Sequence, residues 1–220
     1  MSSPLVNPDS PNSYRTIPAA AHGDYREKGS KFLATACPVT DETAIAAALE
    51  RIKQEHPKAR HCCYAWRLGT DGHRYRANDD QEPSGTAGKP ILGRIDHGEL
   101  TDVLVAVIRY FGGVKLGVPG LIHAYRSAAQ EALEKAGTVE RDIFLAGSLL
   151  VPSLRIGEAE GILARHEATV SDRTYGEDAG FTFLLPKRSW TSFEQALLSC
   201  DERCRLVWQH DKQDTTSSDD

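Results

Sequence analysis

Three carboxylates stand within four residues at Asp79, Asp80 and Glu82, and a loop rich in glycines and hydroxyls follows them. Acids so clustered can bind Mg²⁺ or act as general acid and base. In a loop they equally cap turns and the start of the next helix, and no paired His or Cys stands nearby at a metal-ligand spacing. A structural or partner-binding role is therefore the leading expectation for all three. The segment Pro83-Ser84-Gly85-Thr86-Ala87-Gly88-Lys89-Pro90 superficially suggests a phosphate loop. A Walker loop would need Gly at 83 and Ser or Thr at 90, and both are Pro. Glycines and hydroxyls that open a helix still leave N–H groups suited to an anion, a phosphate of RNA or a partner's carboxylate. On that reading Ser84, Gly85, Thr86, Gly88 and Lys89 are the donors. The equal alternative is a tight loop whose hydroxyls cap its own helix.

A second constellation runs from Arg109 to Gly117, where Tyr110 and Phe111 sit between cations and glycines (Gly112, Gly113, Lys115). From Val107 through Arg126 there are three cations, Arg109, Lys115 and Arg126, and no acid. The whole chain carries a net charge of −5, so bulk attraction to nucleic acid is not expected and this segment would be a local basic surface. Cations beside exposed aromatics hold single-stranded nucleic acid by phosphate contact and stacking. Tyr110 and Phe111 at a strand end can instead belong to the core. His123 falls on the outward face of the following helix and joins the candidate surface.

Nucleophilic catalysis has weaker support. Ser84 lacks the Gly-x-Ser-x-Gly elbow, so a hydrolase built from Ser84, His61 and Asp80 requires the fold to unite them. Asp79, Asp80, Glu82 and His61 are the residues a metal-dependent enzyme would use. Strand alternation sends Cys62 and Cys63 to opposite faces, and Cys200 and Cys204 lack the usual Cys-x-x-Cys spacing. Buried thiols behaving as small apolar residues are expected. No catalytic residue, metal or cofactor is assigned.

Secondary elements must position these groups. Residues 41–55 carry Ala44, Ile45, Ala48, Leu49 and Ile52 on one helical stripe, with Thr40 or Asp41 as cap. Lys31 to Val39, Cys62 to Leu68, Arg74 to Ala77 and Val103 to Tyr110 read as strands, the last an almost unbroken apolar run. A helix runs from Pro119 to a stop at Gly137. Beyond about residue 140 the order becomes β-α-β-β-α-β: a strand at 143–151, a helix at 153–166 with Leu154, Ile162 and Leu163 inward, and a hairpin over 168–185. A helix from Thr191 with the capping box Thr191-x-x-Glu194 and a last strand at 205–209 complete it.

At 220 residues, with 40% hydrophobic and 26% charged, two small domains can each bury a core. The division predicted is a disordered lead over 1–20, an N-terminal domain over 21–140, a C-terminal domain over 141–210 and an acidic tail over 211–220. No apolar run approaches the roughly 20 residues that span a bilayer, the start has no secretory pattern, and five cysteines are too sparse for a disulfide scaffold. A cytoplasmic protein without membrane contact is expected.

The pieces HCCYAWRL at 61–68, DDQEPSGTAGKPIL at 79–92 and VIRYFGGVKLGVPGLIHAYRSAA at 107–129 together resemble the signature of the IMPACT/YigZ family, and REKGSKFLATACPV at 26–39 is similar to its opening strand. The resemblance implies an α+β fold. Its N-terminal domain would be like domain 2 of a small-subunit ribosomal protein and of ribonuclease PH. The C-terminal half resembles the ferredoxin-like domain that bacterial members append, similar to the last domain of elongation factor G. Eukaryotic relatives regulate translation by binding the activator of the amino-acid-starvation kinase, usually through an N-terminal RWD domain for which there is no room before residue 22. The expectation is a non-catalytic binding protein of translation or its regulation, with RNA, the ribosome or a ribosome-associated regulatory protein as partner. A pure protein–protein adaptor and a hydrolase or metal-dependent enzyme are the alternatives.

Overall fold

The protein is described by a computed structural model, over residues 10–208. An unbroken apolar strand needs cover on both faces, and β6 (Val103–Tyr110) has it. It is the middle strand of a five-stranded antiparallel sheet. β3 (Ser30–Pro38) and β4 (His61–Leu68) flank it, and β2 (Ala21–Glu27) and β5 (Arg74–Asn78) form the edges. Val103, Val105 and Val107 face the cluster made by α2 (Gly88–His97) and α3 (Gly117–Ala136). Leu104, Ala106 and Ile108 face α1 (Glu42–Glu55) through Ile45, Ala48 and Ile52. The strand's period of two thus divides one apolar run between two cores.

Local signals set the helix ends. Asp41 Oδ1 accepts the Ala44 N–H at 2.7 Å, capping α1. Gly137, at φ 69°, closes α3. The alanine stripe of α3 lets it lie flush on β2, so close that a Cβ at Gly23 would stand 2.5 Å from the Ala128 carbonyl oxygen.

The remaining elements alternate in a second unit: β8 (Phe144–Pro152), α4 (Ile156–Arg165), β9 (Thr169–Thr174), β10 (Asp178–Pro186), α5 (Trp190–Cys200) and β11 (Arg205–Trp208). The sheet order is β11-β8-β10-β9, antiparallel throughout. Leu149, Phe181, Phe183, Phe193 and Trp208 form its core. The chain is mixed α and β, and contacts divide it into residues 13–141 on one side and 142–208 with 10–12 on the other.

The structure corrects several expectations. Residues 13–17 are no disordered lead: β1 (Ser13–Thr16) pairs with β7 (Val139–Asp142), and Ile17 is wholly buried in the core that the sheet shares with α2 and α3. Asn12 also accepts the Ile143 N–H at 2.8 Å. Residues 1–9, Gln209 and the acidic tail 211–220 lie outside the described residues. Leu154 points outward at 94% exposure, because it sits in a 3₁₀ turn out of phase with the α4 stripe. The capping box at Thr191 does not form. The helix starts one residue earlier, at Trp190, and Glu194 accepts from Trp208 Nε1 at 3.0 Å instead. Among the described residues no helix is long and apolar enough to cross a membrane.

Ile17→Ala is expected to lower the urea-measured stability of the full chain by about 2–5 kcal/mol, the loss for a well-packed core site. A change within about 0.5 kcal/mol would mark residues 13–17 as inessential to the fold.

Candidate functional site

The acidic loop folds around its own first carboxylate. Asp79 Oδ1 accepts the N–H groups of Ala87 and Gly88 at 2.9 and 2.8 Å, and Oδ2 accepts that of Gly85 at 2.8 Å. Thr86, buried, donates its N–H and its hydroxyl to the Pro83 carbonyl at 3.0 and 2.7 Å. Burial alone would raise the Asp79 carboxyl, but the three backbone donors and nearby Lys89 hold it below its usual value. Gly85, Thr86 and Gly88 therefore do not present donors to an outside anion. Their N–H groups turn inward, and the exposed side chains of this loop are Pro83, Ser84 and Lys89, of which only the last two are polar.

The turn out of β5 is strained: Asp80 and Gln81 have φ of 36° and 69°, a region that non-glycine residues rarely adopt. Neighbours fix Asp80 there. Its N–H donates to Asn78 Oδ1 at 2.8 Å, its Oδ2 accepts the Cys62 N–H at 2.7 Å, and its carbonyl accepts from His61 Nδ1 at 2.8 Å. Backbone held this firmly in a sparse region is characteristic of sites that position something.

What it positions is Glu82. This side chain is buried, and its Oε1 accepts from Arg109 Nη1 at 2.6 Å and from the Tyr125 hydroxyl at 2.9 Å. The Cys63 thiol donates to the same hydroxyl at 3.3 Å. The guanidinium lies over the rings of Phe32 and Phe111, 5.5 and 5.6 Å from their centroids. Burial pushes the Tyr125 phenol and the Cys63 thiol well above their usual values, with Cys63 and Glu82 adding to the shift at Tyr125. Arg109 is thus no surface cation. It shares the face of Val103, Val105 and Val107 on β6, and that parity sends it into the core.

Tyr110 points to the opposite face, where its hydroxyl meets His56 Nδ1 at 3.1 Å. Phe111 is 59% exposed, and Gly112, Gly113, Lys115 and Gly117 are exposed with it. Gly112 is obligatory, since a Cβ there would lie 1.9 Å from the Gly29 carbonyl carbon. His123 is exposed and packs edge-on to the Tyr25 ring at 5.5 Å.

The cations that do gather are partly different ones. Lys89 and Arg126 line one groove of about 420 Å³ between α2 and α3, joined by Arg94, His97 and Ile122. No acid lines it, and Lys89, Arg94 and Arg126 form no ion pair among the described residues. Arg94 and His97 lie past the motif that marks the loop, and no composition signal singles them out. The spacing Lys89, Gly93, His97, a repeat of four on one helix face, points to His97, and Arg94 lies four residues after Pro90 on the neighbouring row. Lys115 and His123 are not among the residues lining this groove.

The enzyme-like combination does not assemble. His61 is oriented by the Asp80 backbone carbonyl, and the Asp80 carboxylate is engaged by the Cys62 N–H rather than by His61. Among the described residues no three His, Cys, Asp or Glu side chains group as metal ligands. Cys62 and Cys63 lie in cores on opposite sides of the sheet, and burial pushes the Cys62 thiol up to about 11.

Two outcomes follow from this chemistry. Glu82→Ala and Arg109→Ala should each destabilise by about 3–5 kcal/mol, since each strands a buried charge or its donors. The double variant should lose at least about 1 kcal/mol less than the sum; strict additivity in urea unfolding would show the pair uncoupled. Asp79, depressed in the folded state, contributes stability that is present above its unfolded value of 3.8 and is lost as pH falls through its lower folded value. The stability gap between wild type and Asp79→Asn should therefore shrink below about pH 4, and a gap constant from pH 7 to 2 would contradict the cap.

Residues 28–133 match the Impact N-terminal domain family. That block holds the capped loop, the buried pair and the cationic groove. The chain is 32% identical over 184 residues to the IMPACT family member YvyE of Bacillus subtilis, covering 84% of this chain and 85% of the relative. It is 37% identical over 157 residues to an IMPACT family member of Thermus thermophilus, covering 71% and 84%. A crystal structure of a hypothetical protein superposes with a TM-score of 0.71 at 26% identity, over 91% of this chain and 99% of that one. Likeness at this level runs through both units and along most of each relative, and this chain belongs to the IMPACT family.

Proposed function

We propose that this chain is a non-catalytic binding protein of translation or its regulation, and that its N-terminal unit holds the phosphate backbone of RNA in the groove between α2 and α3. The observation that carries this reading is the groove itself. Lys89, Arg94, Arg126 and His97 share it without an opposing acid, in a chain whose net charge is −5. Cations concentrated in a concave site focus the local field even when bulk charge is unfavourable. Ile122 adds an apolar wall, and Val118, four residues earlier on α3 and 51% exposed, continues it.

Architecture gives further support. The βαββαβ order and the β11-β8-β10-β9 sheet favour a ferredoxin-like C-terminal domain like the last domain of elongation factor G. A five-stranded sheet with two helices on one face favours the likeness of the N-terminal unit to domain 2 of the ribosomal protein and ribonuclease PH. A cytoplasmic site of action accompanies this reading.

The test is a titration of fluorescent single-stranded RNA at several salt concentrations, with wild type and the triple variant Lys89→Ala, Arg94→Ala, Arg126→Ala. The variant should bind at least about tenfold more weakly, and its slope of log K against log salt should flatten by about 0.7 for each phosphate-binding cation removed. Weakening should be similar across RNA sequences, because phosphate contacts carry no base information. Equal affinities and slopes for the two proteins would sink the reading. A shallow salt dependence with a defined protein footprint would favour the adaptor instead.

A further inference from the structure

An antiparallel sheet with one solvated face normally carries polar side chains there. The four-stranded sheet of the C-terminal unit departs from that pattern. Its helix-covered face holds Leu149, Phe181, Phe183 and Trp208. The opposite face shows Phe144, Leu150, Leu184 and Val207 at 49, 37, 44 and 61% exposure. Isolated exposed apolar residues are ordinary, but several on one sheet face mark a surface that is covered in use.

The register shows how these residues lie. One row across the sheet reads Arg205, Leu150, Gly180, Thr174, and the next reads Val207, Ser148, Thr182, Asp172. The Thr174 hydroxyl leans over the place where a Gly180 side chain would stand, and beside it, next to Leu150, a hollow of about 300 Å³ opens on the face. Leu150, Gly180, Asp172, Thr174, Arg205 and Val207 are among the residues that line it. Arg205 and Asp172 stand on the two edge strands, β11 and β9, and neither is in an ion pair among the described residues.

We propose that this face is where two copies of the chain meet, sheet against sheet about a two-fold axis. A two-fold contact must be self-complementary, since one patch serves both sides. An axis between the sheets and parallel to the strands sets β11 of one copy over β9 of the other, and β8 over β10. Leu150 then enters the hollow at Gly180 of the second copy. Arg205 comes one row from Asp172 of the second copy, within reach of its long side chain, and both contacts are made twice. A knob beside a hole and a cation across from an acid are the features this symmetry needs. RNA fits the face less well, because Asp172 opposes Arg205 and the middle rows offer no aromatic ring for stacking. Four strands at about 4.8 Å span only some 19 Å, so the contact is small against the about 800 Å² per partner of a standard interface, and the dimer is reversible.

The experiment is sedimentation velocity of the full chain from low micromolar to near-millimolar concentration. Wild type should pass from monomer to dimer across that range. Leu150→Lys and Val207→Glu, the latter facing Asp172 of the second copy, are both at exposed positions that the fold tolerates and should each weaken dimerisation at least about tenfold. Arg205→Asp should weaken it as well, and combining it with Asp172→Arg should restore most of the loss by exchanging the charges. A wild type that stays monomeric throughout overturns the proposal, as does a dimer indifferent to Leu150→Lys. A charge-exchanged double variant no better than either single one overturns the axis.

Discussion

A carboxylate and a guanidinium taken out of water cost several kcal/mol each unless they meet in good geometry with further donors around them. Glu82 satisfies that condition, accepting from Arg109 Nη1 at 2.6 Å and from the Tyr125 hydroxyl; Arg109 meets it in part, with two aromatic rings against its guanidinium and a buried Nε–H that finds no partner among the described residues. The pair joins three segments that are distant in sequence: the loop after β5, the end of β6 and the middle of α3. None of them can move alone without breaking a hydrogen bond to the buried carboxylate. α2 continues directly from the loop that carries Glu82, so the same contact fixes where α2 lies beside α3. The groove between those helices inherits its width from this buried interaction.

The loop's own hydrogen bonds decide what kind of site the groove is. Asp79 consumes the N–H groups of Gly85, Ala87 and Gly88, an anion built into the chain at the place where an external one would bind. Positive character outside the loop is then carried by the side chains of Lys89, Arg94 and Arg126. Long flexible cations attract phosphate strongly and are screened by salt, while offering little shape selectivity. A rigid cradle of backbone donors would have behaved in the opposite way.

The C-terminal unit solves a different problem. A small domain buries only a modest share of its surface, and this one concentrates Phe181, Phe183, Phe193 and Trp208 on a single side of its sheet. Lys187, buried, is satisfied by carbonyls of Ser10 and Pro11, which brings the chain's early residues into the same unit. Burial pulls that ammonium below its usual value, and the carbonyl contacts compensate the desolvated charge.

Family membership, the α1 stripe with its Asp41 cap, the β6 run and the Gly137 stop were all determined by the sequence itself, because period and capping act within a few residues. The exclusion of Arg109 from the surface was also written there, in its parity with Val103, Val105 and Val107, although its charge argued the other way. Tertiary structure alone decided the rest. It turned the loop donors inward onto Asp79, matched Glu82 to partners 27 and 43 residues away, and drew Glu194 from a local cap to Trp208. It also brought Lys89 and Arg94 beside Arg126. Local propensity cannot choose among distant partners, since that choice depends on which faces the packed sheet and helices bring together.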